Sequence, residues 1–248
     1  MTVWRGGSTL VVGHRGGRGP GWPAENTIDA FDRAAAEGAV AVETDARLLA
    51  TGEVVLFHDA ALSRATDGAD HRTVAGLSSA EAARVRLAGG LRVPLLADAL
   101  AWASDRGVAI NVEIKADGDR SLRLAAAVAR AIRAARADVL VSSFSPVIVA
   151  AMALLAPRVP RAWLTDPRHD GALDAAVRAT RGPMIHALHP ERTQAHAPRV
   201  ARWKRRGLRV GVYTVNDADE ARALAASEVD WIITDRPAEI ASALRAAR

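Results

Sequence analysis

The stretch VAVETD, Val40 to Asp45, and its later counterpart INVEIK, Ile110 to Lys115, decide how this 248-residue chain folds. In the first, Val40, Val42 and Thr44 share one face while Glu43 and Asp45 share the other. In the second, Ile110, Val112 and Ile114 oppose Asn111, Glu113 and Lys115. Side chains alternate along a strand, so each stretch has an apolar face for helices and an opposite face that ends in charge. Working outward, short β-branched runs alternate with alanine-rich helical runs along nearly the whole sequence. Strands are predicted at Leu10 to Gly13, Val40 to Asp45, Ala109 to Lys115, Val139 to Ser142, Arg161 to Leu164, Met184 to Leu188, Arg209 to Thr214 and Trp231 to Thr234. A helix is expected after each, including one over Leu173 to Thr180 and a last one over Pro237 to Ala247. Eight βα units fit a closed α/β barrel, the (β/α)₈ TIM barrel, better than an open sheet.

One connection is too long for that rhythm. After the second strand, residues 54–57 read as an extra strand and residues 60–93 as a small insertion, all within one domain over 1–248. No apolar run is long enough for a membrane span and no secretory leader is visible, so a soluble cytoplasmic protein without stable membrane insertion is expected. Cysteine is absent, which excludes disulfides, thiolate metal sites and a cysteine nucleophile. The net charge of +5 raises the possibility of a nucleic-acid partner. The arginines are dispersed, however, and the densest run, RVARWKRRGLR, reads as a solvated helix face followed by a strand, so no nucleic acid is expected. Oligomeric state is left open by the sequence.

Barrel catalysis gathers at the C-terminal strand ends, and polar residues cluster there: His14 and Arg15, Glu43 and Asp45, His58 and Asp59, Glu113 and Lys115. Three carboxylates converging on one mouth repel unless a cation lies between them. All-oxygen ligation favours Mg²⁺ or Ca²⁺. Two histidines beside such an ion suit acid/base chemistry, and Arg15 and Lys115 suit an anion, which together point to a phosphate ester.

The ordered motifs GHRGG, PAENT, VETDARLLATGEVVLFHD, VPLLADAL, NVEIK, SSF, VYTVN and IITDRP resemble those of the glycerophosphodiester phosphodiesterases. The resemblance covers most of the chain and implies a barrel shared with phosphatidylinositol-specific phospholipases C. It implies His14 and His58 as the catalytic pair, Arg15 as phosphate ligand, and Glu43, Asp45 and Glu113 as metal ligands. Lys115 stands at the family's site lysine, and Glu25 at the glutamate near the histidine and arginine. Asn26 belongs to the same motif, although Asn26 or Thr27 also reads as a helix N-cap. Tyr213, where the family usually has tryptophan, and Asn216 are expected at the substrate pocket. Phe144 reads either as a pocket residue or as core. Asp235 is expected to cap the last helix. Leu95, Ala97 and Trp231 depart from the family pattern.

The implied activity is metal-dependent hydrolysis of a small glycerophosphodiester to glycerol 3-phosphate and an alcohol. A lysophospholipase D acting on single-chain lipids is the nearest alternative on the same fold. A non-catalytic phosphate or nucleic-acid binding protein is disfavoured, because binding alone needs neither a proton pair nor a metal cage.

Overall fold

The computed structural model describes residues 3–5, 7–171, 177 and 184–246. Eight parallel strands form the barrel: β1 Leu10–His14, β2 Ala41–Leu48, β4 Ala109–Ile114, β5 Val139–Ser143, β6 Arg161–Thr165, β7 Ala187–Pro190, β8 Arg209–Val212 and β9 Trp231–Thr234. Closure is made by β1, where Val12 aligns with Ala41 of β2 on one side and Ile233 of β9 on the other. The extra strand β3, Val54–Leu56, runs antiparallel to the end of β2, with Ala46 opposite Leu56 and Leu48 opposite Val54. It therefore prolongs the sheet above the mouth and brings Phe57 and His58 back over it.

The period-two pattern is realised from Val42 onward; Val40, expected on the apolar face, precedes β2 and is exposed. Val42, Ile110, Val112, Ile114, Val141 and Ile232 pack outward against the helices. Inside, the lower barrel is filled by Val12, Ala41, Ala109, Leu140, Ala162, Ala187 and Trp231. The run of alanines leaves room for the indole of Trp231, which meets Trp4 edge-on at 5.4 Å between ring centroids. Gly211 is required beside it, because a Cβ there would lie 1.7 Å from Trp231 Nε1. The family departure at Trp231 is thus absorbed by barrel packing.

The helices are α1 Ile28–Ala36, the short α2 Ser79–Ala82, α3 Leu96–Arg106, α4 Ser121–Ala134, α5 Pro146–Leu155, α6 Ala197–Lys204, α7 Ala218–Ala226 and α8 Pro237–Ala246 among the described residues. The expected helix over Leu173 to Thr180 lies, apart from Val177, outside them. α1 shows how local sequence sets the frame: Thr27 caps it by accepting from Ala30 N at 3.3 Å, and Ala30, Phe31 and Ala34 face the barrel. Burying Phe31 alone contributes about 1.5–3 kcal/mol. No helix of the described residues is long and apolar enough to cross a membrane. The segment over 60–93 contains α2 and several 3₁₀ turns, and Leu62, Val74, Leu77, Val85 and Leu87 build a satellite core with Leu49, Val55 and Phe57.

One strand is displaced from its expectation. Met184 to Leu188 was the predicted range, whereas β7 spans Ala187–Pro190. The Arg161 guanidinium holds Met184 O at 3.0 Å outside the ladder, and the strand continues through His189 because that imidazole is buried within the barrel. Trp231 Nε1 donates to His189 Nε2 at 3.1 Å. Burial pushes the His189 pKa down to about 3, against 6.5 for a solvated histidine. The folded state therefore refuses a proton that the unfolded chain accepts below 6.5. Stability from this group is complete above pH 6.5 and is lost as pH falls toward 3, with a slope of about 1.4 kcal/mol per pH unit. We expect urea-unfolding free energies of His189→Gln to fall less steeply than wild type between pH 6.5 and 4.5, by one proton. Equal slopes would contradict this assignment.

Candidate active site

β1 delivers His14 to the mouth and the chain must then turn at once toward α1. Arg15 takes up φ +53° and Gly16 φ +89°, and a Cβ on Gly16 would lie 2.7 Å from the backbone of Ala30. The turn places the Arg15 backbone N–H 3.1 Å from Glu43 Oε2 and the Arg15 Nε 3.0 Å from Asp45 Oδ2. Asn26, also at positive φ (+61°), points the other way from a helix cap. Its Nδ2 donates to Asp45 Oδ2 at 2.8 Å, and its Oδ1 accepts from Thr44 Oγ1 and from Asp45 N. Thr27 is the cap and Asn26 holds Asp45.

Glu43 and Asp45 on β2 and Glu113 on β4 are all buried, and each offers a carboxylate oxygen within 4.8 Å of the others. Lys115 Nζ lies 2.8 Å from Asp45 Oδ1 and 2.6 Å from Glu113 Oε1. Their titration reflects this crowding. Burial, followed by the charges of Asp45 and Glu113, pushes Glu43 well above the carboxylate range. Burial likewise raises Glu113, with Asp45 adding to the rise against the pull of Lys115. For Asp45, burial is outweighed by Lys115 and Arg15, which hold its carboxyl low. The cluster thus has one firmly ionised member and two that lack enough positive charge.

His14 Nδ1 is 2.8 Å from Asp235 Oδ1, which leaves Nε2 directed toward the cluster, 3.9 Å from Glu43 Oε2. His58 is built alike, with Nδ1 2.6 Å from Asp59 Oδ1. A carboxylate on Nδ1 fixes the ring and the tautomer, with Nδ1–H donating and Nε2 left as the basic nitrogen. Burial lowers the pKa of both against these carboxylates. The mouth itself is a cavity of about 180 Å³ lined by both histidines, Arg15, Glu43, Glu113 and Lys115. A neighbouring cavity of about 240 Å³, between the first loop and the 60–93 segment, also reaches His58.

Residues 14–239 match the glycerophosphoryl diester phosphodiesterase family. The chain belongs to that family. It is 32% identical to YqiK of Bacillus subtilis over 95% of this chain and 98% of that one. Identity to the glycerophosphodiester phosphodiesterase of Caldanaerobacter subterraneus is 27%, covering 96% and 98% of the two chains. A phosphodiesterase of Oleispira antarctica, solved with the product sn-glycerol-3-phosphate, superposes with a TM-score of 0.86 at 25% identity over 96% of this chain and 97% of that chain. The enzyme class and the barrel read from the sequence are those of this family.

Within the phosphodiesterase, the remaining sequence-selected residues fall into two groups. Phe144 and Tyr213 line the mouth cavity and meet edge to face at 6.0 Å, with the Tyr213 hydroxyl donating to Thr165 O at 2.8 Å. Glu25 gathers three arginines: Arg15 at 3.1 Å, Arg64 at 2.6 Å and Arg18 at 3.5 Å. Asn216, expected at the substrate pocket, has its amide on Asp235, donating to Oδ2 at 2.8 Å and accepting from Asp235 N at 2.8 Å. Asp235 corrects an expectation, since its carboxylate binds His14, Arg18 and Asn216 in place of the expected role on the last helix. Asp235, Arg18 and Arg64 were missed as site residues. A polar strand end at β9, in IITDRP, was the available signal for Asp235.

Proposed function

We propose that this phosphodiesterase is a divalent-cation-dependent hydrolase of glycerophosphodiesters, releasing glycerol 3-phosphate and an alcohol, with chain 1–248 acting as one catalytic domain in the cytoplasm. The observation that carries the reading is the buried triad Glu43, Asp45 and Glu113, of which Glu43 and Glu113 line the same cavity as two carboxylate-held histidines. The donor set fits a hard cation: it is all oxygen, and Lys115 and Arg15 pair with its acids. Glu43, Asp45 and Glu113 would hold Mg²⁺ or Ca²⁺, and the bound ion would supply Lewis-acid stabilisation of phosphoryl charge. Arg15 and Lys115 orient the phosphate and oppose its developing charge. His14, the more deeply buried imidazole, stays neutral at physiological pH and takes the proton of the attacking oxygen at Nε2. His58 stands where the two cavities meet and acts from its protonated form, with Asp59 on Nδ1: it gives the Nε2 proton to the departing alkoxide, which leaves as the alcohol through the outer cavity. Phe144 and Tyr213 flank the retained glycerol side. No nucleic acid is required as a partner.

Substrate choice tests this reading. The leaving alcohol faces an open cavity bordered by charges of both signs, Arg18, Arg64, Glu25 and Asp67. Weak discrimination between choline, ethanolamine and glycerol headgroups is expected, because the leaving group needs little recognition for the chemical step. Single-chain lipids should be poor substrates, since the mouth cavity is small and its inner end is closed by the barrel core. The check is kcat/KM across glycerophosphocholine, glycerophosphoethanolamine and lysophosphatidylcholine. A lysolipid preferred tenfold or more, about 1.4 kcal/mol of transition-state binding, overturns the glycerophosphodiester reading in favour of lysophospholipase D.

A further inference from the structure

Two buried side chains of the mouth cavity are used by neither the carboxylate cluster nor the histidines. Asn111 on β4 and Ser142 on β5 are 1% and 2% exposed and both line the cavity. Among the described residues, none hydrogen-bonds Asn111 Nδ2, Asn111 Oδ1 or Ser142 Oγ. The contrast with their neighbours is informative. The other two asparagines are fully engaged, Asn26 with Asp45 and Asn216 with Asp235, and Ser143 donates to Ile114 O at 2.8 Å. Buried polar groups in folded proteins are nearly always paired, so an amide and a hydroxyl left without protein partners at a site mark a ligand contact.

Their position narrows what that ligand is. Asn111 lies one pleat deeper than Glu113 on the same strand and aligns with Glu43, while Ser142 aligns with Glu113. Immediately below begins the apolar barrel filling of Ala109 and Leu140. The pair therefore sits at the inner end of the cavity, past the carboxylates, with Leu164 and Ile233 as apolar wall. An amide and a hydroxyl both donate and accept, which matches alcohol groups, and the nearby carboxylates disfavour a second anion. We infer that Asn111 and Ser142 read the free hydroxyls of the glycerol moiety retained on the phosphate. The inference rests on the proposed function and adds the residues that set its specificity. A substrate lacking those hydroxyls leaves the buried amide unpaired, which is how such a site rejects it.

Calorimetric binding in the presence of Mg²⁺ separates the possibilities, using glycerol 3-phosphate and propyl phosphate, which has the same carbon chain and phosphate without hydroxyls. Wild type is expected to bind glycerol 3-phosphate the more tightly. Asn111→Leu and Ser142→Ala should each weaken glycerol 3-phosphate tenfold or more and leave propyl phosphate within about twofold. Ligand-free Asn111→Leu should melt no lower than wild type, whereas a structural role for the amide would lower its Tm. Asn111→Ser serves as a milder variant should the leucine disturb folding. If the variants weaken both phosphates equally, or neither, the hydroxyl-reading role is overturned while the proposed function stands. A wild type that binds neither phosphate overturns the proposed function together with the inference.

Discussion

Replacing His14 or His58 by alanine is expected to lower kcat on glycerophosphocholine by on the order of a hundredfold or more, the usual contribution of a positioned proton-transfer group. Both variants should fold. His58 is a third exposed, and the Asp59 carboxylate it leaves behind keeps Arg64 at 2.6 Å. His14 is more enclosed, yet Asp235 keeps Arg18 and Asn216 as partners, so no buried carboxylate is orphaned by its loss. The two variants differ in one respect. An activated leaving group such as p-nitrophenolate needs no proton, so it should rescue His58→Ala and leave His14→Ala impaired. Steady-state kinetics beside circular-dichroism melts check all of this. Near-wild-type turnover of both variants on the unactivated substrate would show that the pair is wrongly assigned.

What could be read in the sequence follows from the range of the interactions involved. VAVETD and INVEIK carry their burial pattern locally, at period two, so the outward valines and isoleucines and the inward acids of β2 and β4 were legible. The extra strand was legible as a short continuous apolar run, and all three of its residues are buried. The β7 boundary was not, because His-Pro at 189–190 looks like a turn until Trp231, from a distant strand, supplies the imidazole's partner. Asp235 was misjudged by a similar logic. A local rule assigns Asp before Pro-rich helix starts to capping, whereas the partner that claims Asp235 is His14, 221 residues away in the chain. Asn26 and Thr27 were a genuine tie in sequence, and it was resolved only by positive φ at Asn26, which sends its amide to Asp45.

The second large effect concerns the cation. Burial and mutual repulsion raise Glu43 and Glu113, so the cluster has too little positive charge for its three acids, with Lys115 and Arg15 already paired to them. A phosphodiester entering that site meets three buried carboxyl groups, and the two cations beside them are already shared with those groups. Lewis-acid stabilisation of phosphoryl charge is worth several kcal/mol, and each 1.36 kcal/mol is tenfold in rate, so loss of the ion should cost about a thousandfold or more. Lys115 cannot substitute, because it delivers one charge at the edge of the cluster and remains tied to Asp45 and Glu113.

The most direct test is the rate of glycerol 3-phosphate release from glycerophosphocholine by protein treated with EDTA and dialysed, then measured before and after addition of Mg²⁺ or Ca²⁺. The account predicts no detectable release from the stripped protein and recovery on adding one of these ions. Full activity in the stripped protein would contradict the assignment of Glu43, Asp45 and Glu113 as its metal site.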